Sequence, residues 1–166
     1  MLDAIADLWA GLPPEARLRA KVFALSALPI IELRGGIPLG VGLGMPWREA
    51  FVTAVLGNLA PIIPIFFALG PLTRALERWG PAKRAIEALF ARTRRRSGLI
   101  ERYEALGLML FVAVPLPMTG GWTGILAAHI FGIRAKYAIP AVTAGVVVAG
   151  IVVTLASQGV LHFWRL

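Results

Sequence analysis

Two charged residues, Glu32 and Arg34, lie two positions apart in the stretch LPIIELRGGIPLG, which is otherwise apolar and rich in glycine and proline. A carboxyl group in such a setting can exchange a proton, because burial raises its pKa and a neighbouring arginine lowers it. The guanidinium group carries a fixed charge and a planar set of donors that suits phosphate or carboxylate. The pair therefore predicts a site for an anionic group and a proton, with a structural ion pair as the alternative.

Glycines and prolines beside these charges recur in a second segment, VPLPMTGGWTG, at residues 114–124. Glycine pairs let backbone approach a ligand closely, and N–H groups at helix N-termini favour anions. We expect both segments to break their helices at the glycines and to line one polar cavity. The residues of the expected substrate and proton site are Glu32, Arg34, Gly35, Gly36, Pro38, Pro115, Pro117, Thr119, Gly120, Gly121, Trp122, Thr123 and Gly124.

Several polar residues also have simpler interpretations. The hydroxyl groups of Thr119 and Thr123 more often satisfy local helix ends than bind ligands. Trp122 fits either a cap over the cavity or an anchor at the membrane interface. Asn58 fits a hydrogen bond between helices better than a substrate contact.

The side chains that catalysis or metal binding needs are scarce in this chain. It has no cysteine and two histidines, and it lacks a nucleophile with an evident base. We therefore expect neither an enzyme nor a bound metal or cofactor.

The composition is that of a membrane protein. Hydrophobic residues make up 58% of the 166, charged residues only 16%, and the mean hydropathy is +0.75. We expect one all-α integral membrane domain over residues 1–166, built as an inverted repeat of a re-entrant helical hairpin plus a transmembrane helix, with amphipathic surface helices. Its predicted parts are an N-terminal surface helix (1–21), repeat 1 (22–70), a basic amphipathic linker (71–104) and repeat 2 (105–161).

The repeat follows from sliding the chain by 86 positions, which places LPIIELRGGIPLGVGLGMPWREAF over VPLPMTGGWTGILAAHIFGIRAKY. Both copies run from a broken apolar hairpin through an interface arginine, Arg48 or Arg134, into one long apolar crossing. A unit that crosses once leaves the next unit upside down, which is the architecture of many transporters. The predicted hairpin tips then approach each other from opposite faces.

The placement of the excess lysine and arginine residues indicates that they bind a membrane surface rather than nucleic acid. Nine of the 17 lysines and arginines fall within residues 71–104, between apolar blocks, as the positive-inside bias requires of a cytoplasmic segment. We expect this linker to lie on anionic lipid head groups. The oligomeric state is left open, a homo-oligomer included.

The ELRGGIP stretch, the PLPMTGGWTG stretch and the basic loop between them resemble the small multidrug export protein family. That family is distantly similar to the DedA membrane proteins. The resemblance implies opposed re-entrant hairpins, a multi-pass location in the bacterial cytoplasmic (inner) membrane and, by the DedA analogy, proton-linked transport of polyprenyl-phosphate lipids. DedA proteins carry arginines near the second tip, whereas residues 114–124 have none, so an anion here depends on Arg34 and backbone N–H groups.

Two classes of function remain open at this stage. One is a secondary transporter or flippase for an amphiphile, either an anionic lipid held by Arg34 or a cationic drug held by Glu32. The other is a structural module that moves nothing. We favour transport, because a scaffold does not require intramembrane charges in a glycine-rich segment.

Overall fold

Six α-helices dominate the part of the chain that the computed structural model describes, which is residues 11–76, 98–114 and 119–163. They are α1 (Pro14–Ala27), α2 (Glu32–Gly42), α3 (Trp47–Leu76), α4 (Gly98–Ala113), α5 (Gly121–Ile130) and α6 (Ala135–Phe163). These residues contain no strand, so the prediction of an all-α protein is confirmed. Residues 1–10 of the predicted N-terminal surface helix (1–21) and residues 77–97 of the predicted basic linker (71–104) lie outside the described residues.

Two of the helices are long and apolar enough to cross a membrane. The apolar parts are Trp47–Pro71 of α3, with 25 residues, and Ala135–Val160 of α6, with 26. At about 1.5 Å per residue either one exceeds the ~30 Å hydrocarbon core. Both also expose large apolar side chains, among them Leu56 and Phe67 on α3 and Ile151 and Leu155 on α6. Exposed apolar faces of this kind distinguish membrane helices from the buried core helices of soluble proteins.

The first hairpin is an antiparallel pair formed by α1 and α2. Gly36 lies against Ser26, and Gly40 lies against Val22, so the two glycines on one face of α2 allow α1 to approach closely. The chain turns at residues 28–31, and α2 then runs without interruption through ELRGGIP. The prediction of a break at Gly35-Gly36 is therefore wrong, because α2 is helical through both residues and Gly36 provides the close contact with α1.

The second half repeats this order of elements. Helix α4 contains a kink at Glu104, whose φ of 46° is left-handed, and its apolar part ends at Ala113. The short helix α5 begins at Gly121, close to the break that the sequence predicts, and the long helix α6 follows. Gly145 of α6 lies against the Met109 carbonyl of α4, as Gly57 of α3 lies against the Phe23 carbonyl of α1.

The two halves interlock through their short helices. Helix α2 packs on α6, and α5 packs on α3, while α3 and α6 contact each other directly. Phe51 and Val55 of α3 touch Gly150 of α6, whereas Ile62, further along α3, and Val146, earlier on α6, both meet Gly121, so the two long helices run antiparallel. The buried core between them is apolar and includes Ile37, Ile62, Ile125 and Val146. This arrangement brings the N-termini of α2 and α5 together in the middle of the molecule.

Candidate functional site

Glu32 is the first residue of α2, and its carboxylate reaches the N-terminus of the other short helix. Only 7% of the residue is exposed. Its Oε1 accepts a hydrogen bond of 3.4 Å from the backbone N–H of Trp122, in the first turn of α5. The carboxylate also rests against Gly120, where any Cβ would overlap it. Glu32 thus occupies the position of a capping anion for α5, although it comes from the opposite half of the chain.

The backbone at Glu32 adopts an uncommon conformation. Its φ is 51°, in the left-handed region that side-chain-bearing residues rarely occupy. Such strain persists where the surrounding structure holds it, and it occurs frequently at functional sites. At this position the turn directs the chain from residues 28–31 into α2 with the carboxylate facing α5.

Arg34 also points its guanidinium group at the second half. Its Nη2 donates to the Thr119 hydroxyl oxygen at 3.3 Å and to the Val114 carbonyl at 3.5 Å. The Thr119 hydroxyl itself donates to the same carbonyl at 2.7 Å. These two contacts are at the long end of the hydrogen-bond range, so each of them is weak. Arg34 is half-buried, and it interacts electrostatically with Glu32 on its own helix.

Trp122 makes the reciprocal contact from the second half to the first. Its indole Nε1–H donates to the Ala27 carbonyl at 3.2 Å, at the end of α1. Helices α1 and α4, which we call the arm helices, thus each have a carbonyl at or just after their last residue that a side chain of the opposite short helix binds. Trp122 binds the Ala27 carbonyl, and Arg34 binds the Val114 carbonyl. These contacts place Trp122 at the junction of the two halves, beside Glu32 and the end of α1.

The N-terminus of α5 concentrates partial positive charge beside the carboxylate. The first N–H groups of a helix have no intrahelical partner and attract anions. Thr123 satisfies one local group, since its hydroxyl oxygen accepts from the Gly120 N–H at 2.8 Å. Its role is therefore the local helix-end contact that the sequence predicts. The chemistry of the site is a guanidinium and a helix N-terminus around one buried carboxylate.

Two further polar side chains, on helices α1 and α3 next to the site, were not predicted as site residues. Ser26 and Asn58 are fully buried, and neither the Ser26 hydroxyl nor either Asn58 side-chain atom has a hydrogen-bond partner in the part of the chain that the structure describes. Within those residues, the predicted hydrogen bond from Asn58 to a neighbouring helix is not formed. A lone polar residue inside an apolar run was the available signal for both.

The remaining predicted residues divide between packing and surface. Gly36, Gly121 and Gly124 are buried at helix contacts, with Gly121 against Asn58 and Gly124 against Val112. Gly35 meets only Ile31 of its own turn, and Pro38 is exposed. Pro115 and Pro117 lie outside the described residues. Among the described residues, no group of three histidine, aspartate or glutamate side chains could hold a metal.

The predicted interface arginines lie apart from the central site, at the starts of the long helices. Arg48 stacks over the Trp47 ring at 5.2 Å, and Arg134 is exposed just before α6. A cavity of about 450 Å³ opens beside Arg48 and is lined by Arg19, Arg48, Glu49, Val52 and Thr53. Paired aromatic and cationic residues of this kind favour the boundary between lipid tails and head groups.

Comparison with known proteins identifies the family. A profile described as "Putative small multi-drug export protein" matches residues 32–152, from Glu32 to Val152. The chain belongs to that family. The family name and the two long apolar helices together make this a membrane protein of the small multidrug export type. No curated protein and no solved structure matches the chain, so the likeness to DedA proteins stays an interpretation of the sequence.

Proposed function

We propose that this member of the small multidrug export family is a secondary transporter or flippase that moves an amphiphile with an anionic head group across the bacterial cytoplasmic membrane. The observation that carries the proposal is the meeting of Arg34, Glu32 and the α5 N-terminus at the junction of the two halves. Transporters commonly bind substrate where two discontinuous helices meet. The proposal assigns no catalytic step, metal or cofactor to the protein.

Arg34 and the helix N-terminus provide the anion site. A phosphate oxygen is a stronger partner for a guanidinium than the neutral oxygens of Thr119 and Val114, which lie 3.3 and 3.5 Å away. Exchanging these weak contacts for a charge-assisted pair requires only a small displacement of the side chain. The binding energy therefore comes from exchanging the neutral partners of Arg34 for a charged phosphate, at the point where α2 meets the second half.

Glu32 provides the coupling to protons. While it is ionised, its charge offsets the positive potential of Arg34 and of the α5 N-terminus. Once it is protonated, that potential is available to the substrate, so proton binding and anion binding favour each other. A cationic drug would require the ionised form instead, and its uptake at Glu32 is an outcome that the experiment below separates.

The architecture we propose is an inverted repeat with two re-entrant hairpins in a multi-pass protein. The antiparallel course of α3 and α6 supports opposite orientations for the two halves. The pairing of α1 with α2 supports a hairpin that enters and leaves on one side. The basic linker after α3 sets the orientation of the protein in the membrane, because positively charged loops favour the cytoplasmic side. Lys21 and Arg48 then face outward, and Glu104 and Arg134 face the cytoplasm.

Single-cysteine labelling checks this topology cleanly, because the chain has no native cysteine. In intact cells we expect an impermeant thiol reagent to label Lys21→Cys and Arg48→Cys. Glu104→Cys and Arg134→Cys should react only after the membrane is permeabilised. Labelling of Lys21→Cys and Arg48→Cys from opposite sides would show that the first hairpin crosses the membrane, which contradicts the re-entrant arrangement.

The proposed transport is tested in proteoliposomes with a fluorescent polyprenyl phosphate and, in parallel, a cationic dye. We expect the parent to move the phosphate lipid faster when the pH is acidic on the side where the lipid binds, because protonation of Glu32 favours anion binding. Glu32→Gln keeps an oxygen acceptor for the Trp122 N–H but should abolish this pH dependence, because no proton is exchanged. Movement of the dye alone would favour the cationic alternative.

The double variant Glu32→Gln, Arg34→Gln separates transport from a structural role. If the two charges merely balance each other, removing both should restore folding and activity together. We expect the double variant to fold but to transport no phosphate lipid. Full transport by a well-folded double variant would end the proposal.

A further inference from the structure

Ser26 and Asn58 present an unusual combination of full burial and unmatched polar atoms. Both residues have 0% exposure, and three side-chain atoms, Ser26 Oγ, Asn58 Nδ2 and Asn58 Oδ1, have no hydrogen-bond partner among residues 11–76, 98–114 and 119–163. Leaving buried donors and acceptors unsatisfied is unfavourable, so native proteins leave few of them without protein or water partners. These atoms therefore indicate bound molecules that supply the missing hydrogen bonds.

The Asn58 amide and the Glu32 carboxylate pack against two adjacent residues of the second half, Gly121 and Gly120. A Cβ on Gly120 would meet Glu32, and a Cβ on the adjacent Gly121 would meet the Asn58 Oδ1 at 2.5 Å. Because consecutive Cα atoms are about 3.8 Å apart, the carboxylate and the amide lie within roughly 11 Å of each other. A file of at most about three waters, each ~2.8 Å from the next, spans that distance.

Ser26 borders the same region from α1. Its hydroxyl group packs on Gly36, which is one turn beyond Glu32 and therefore on the same face of α2. The adjacent Ala27 carbonyl receives the Trp122 indole N–H. Gly57, next to Asn58, packs on the Phe23 backbone one turn before Ser26. Ser26, Glu32 and Asn58 thus surround the N-terminus of α5 from three helices.

The donors and acceptors that lack partners indicate which molecule is bound beside Ser26 and Asn58. A monovalent cation would satisfy the Asn58 oxygen and the Ser26 oxygen but would leave the Asn58 Nδ2–H₂ group without an acceptor. Water both donates and accepts, and a buried water needs two to four polar partners of the kind present here. We propose that Ser26 and Asn58 hold a small cluster of buried waters that hydrates the Glu32 carboxylate and carries protons to it.

The role in proton delivery rests on the proposed function, in which Glu32 exchanges a proton. Arg34, on the same helix, is the charged group that acts on Glu32 among the described residues. Facing it, α1 brings Ser26, α3 brings Asn58, and α5 brings backbone N–H groups, while the α6 residues packed there, such as Val146, are apolar. Neutral hydrogen-bonding groups therefore provide the path, and Ser26 and Asn58 act as positioning residues.

Trp122 is a reporter built into this site, because its backbone contacts Glu32 and its indole contacts Ala27. The experiment uses full-length protein in nanodiscs in which the other tryptophans, Trp9, Trp47, Trp79 and Trp164, are replaced by phenylalanine. Emission of Trp122 is titrated against pH. We expect one transition that Glu32→Gln removes, and we expect Asn58→Leu to move its midpoint upward by about one pH unit, because lost hydration disfavours the charged carboxylate.

Leucine matches asparagine in shape, so Asn58→Leu gives opposite results for a hydrated and an empty site. An amide with no bound water would be improved by the apolar substitute, with the thermal midpoint kept or raised and the pH midpoint unchanged. That result overturns the proposal, as does any loss of stability without a pH shift. Ser26→Ala provides a second variant if Asn58→Leu fails to fold, and it should shift the pH midpoint in the same direction.

Thr154→Val is the matched control. Thr154 is also buried, but its hydroxyl donates to the Gly150 carbonyl at 2.7 Å within α6, so the pH midpoint should not move. Replacing sodium by choline should leave Trp122 emission unchanged, and a sodium response that Asn58→Leu removes would overturn the proposal in favour of a cation. If the parent protein shows no Glu32-dependent transition, the water-cluster proposal is overturned and Glu32 does not exchange a proton during transport. Anion binding by Arg34 is tested separately, by the lipid assay.

Discussion

Substituting lysine for Arg34 is expected to weaken binding of a phosphate-bearing amphiphile by about 10- to 100-fold. Lysine keeps the positive charge but loses the planar fork that grips two phosphate oxygens at once. One lost charge-assisted hydrogen bond is worth about 1.5–3 kcal/mol, and each ~1.4 kcal/mol is a factor of ten in affinity. Binding of a fluorescent polyprenyl phosphate to protein in nanodiscs, followed by anisotropy, measures the change directly.

Arg19→Lys is the matched control for this prediction. Arg19 forms an ion pair of 3.0 Å with Glu49, and both side chains are largely exposed. Exposed pairs contribute little, so the same chemical change at Arg19 should leave both affinity and the thermal unfolding midpoint close to those of the parent. Parental affinity in a well-folded Arg34→Lys protein would mean that the guanidinium does not bind the head group.

The fold was predictable from the sequence where long apolar runs determine it. The long apolar crossing predicted at the end of repeat 1 corresponds to α3, and the one predicted at the end of repeat 2 corresponds to α6. The glycine pair at 35–36 was misread, because glycine disfavours an isolated helix by about 1 kcal/mol per residue. In this protein both glycines are helical, and the close contact of Gly36 with Ser26 on α1 compensates for that intrinsic preference. Such compensation depends on a partner helix that local sequence does not reveal.

The site was predictable in part for a related reason. The offset of 86 positions placed ELRGGIP and PLPMTGGWTG in equivalent parts of two repeats, and the structure brings Glu32 against Trp122 and Arg34 against Val114 and Thr119. Their role as a substrate and proton site remains a prediction. Ser26 and Asn58 were missed as site residues, because a single polar residue in an apolar run resembles any helix–helix contact. Only their unmatched atoms, which are visible in three dimensions, mark them out.

Adding one methyl group at Gly57 is expected to destabilise the protein by about 3 kcal/mol. The Cβ of Gly57→Ala would lie 3.0 Å from the Phe23 Cα and carbonyl carbon and would overlap the Phe23 oxygen. Overpacking of this kind typically costs about 1–3 kcal/mol, and the cost is at the upper end here because backbone on both sides cannot change rotamer. Reversible unfolding in mixed micelles gives the free energy, with Gly159→Ala as control, since nothing lies within 4 Å of a Cβ at Gly159.

The same substitution at Gly145 tests whether the two halves are built alike. A Cβ there would be 2.7 Å from both the Met109 carbonyl oxygen and the Val112 Cβ, so Gly145→Ala should separate α4 from α6 as Gly57→Ala separates α1 from α3. Each change also moves an arm helix whose terminal carbonyl binds the opposite short helix, through Ala27 and Trp122 in one case and Val114 and Arg34 in the other. Both variants should therefore lose affinity for the phosphate lipid together with stability. Parental stability in both variants would show that the arm helices do not depend on these close crossings, and the interlocked arrangement that positions the central site would then be wrong.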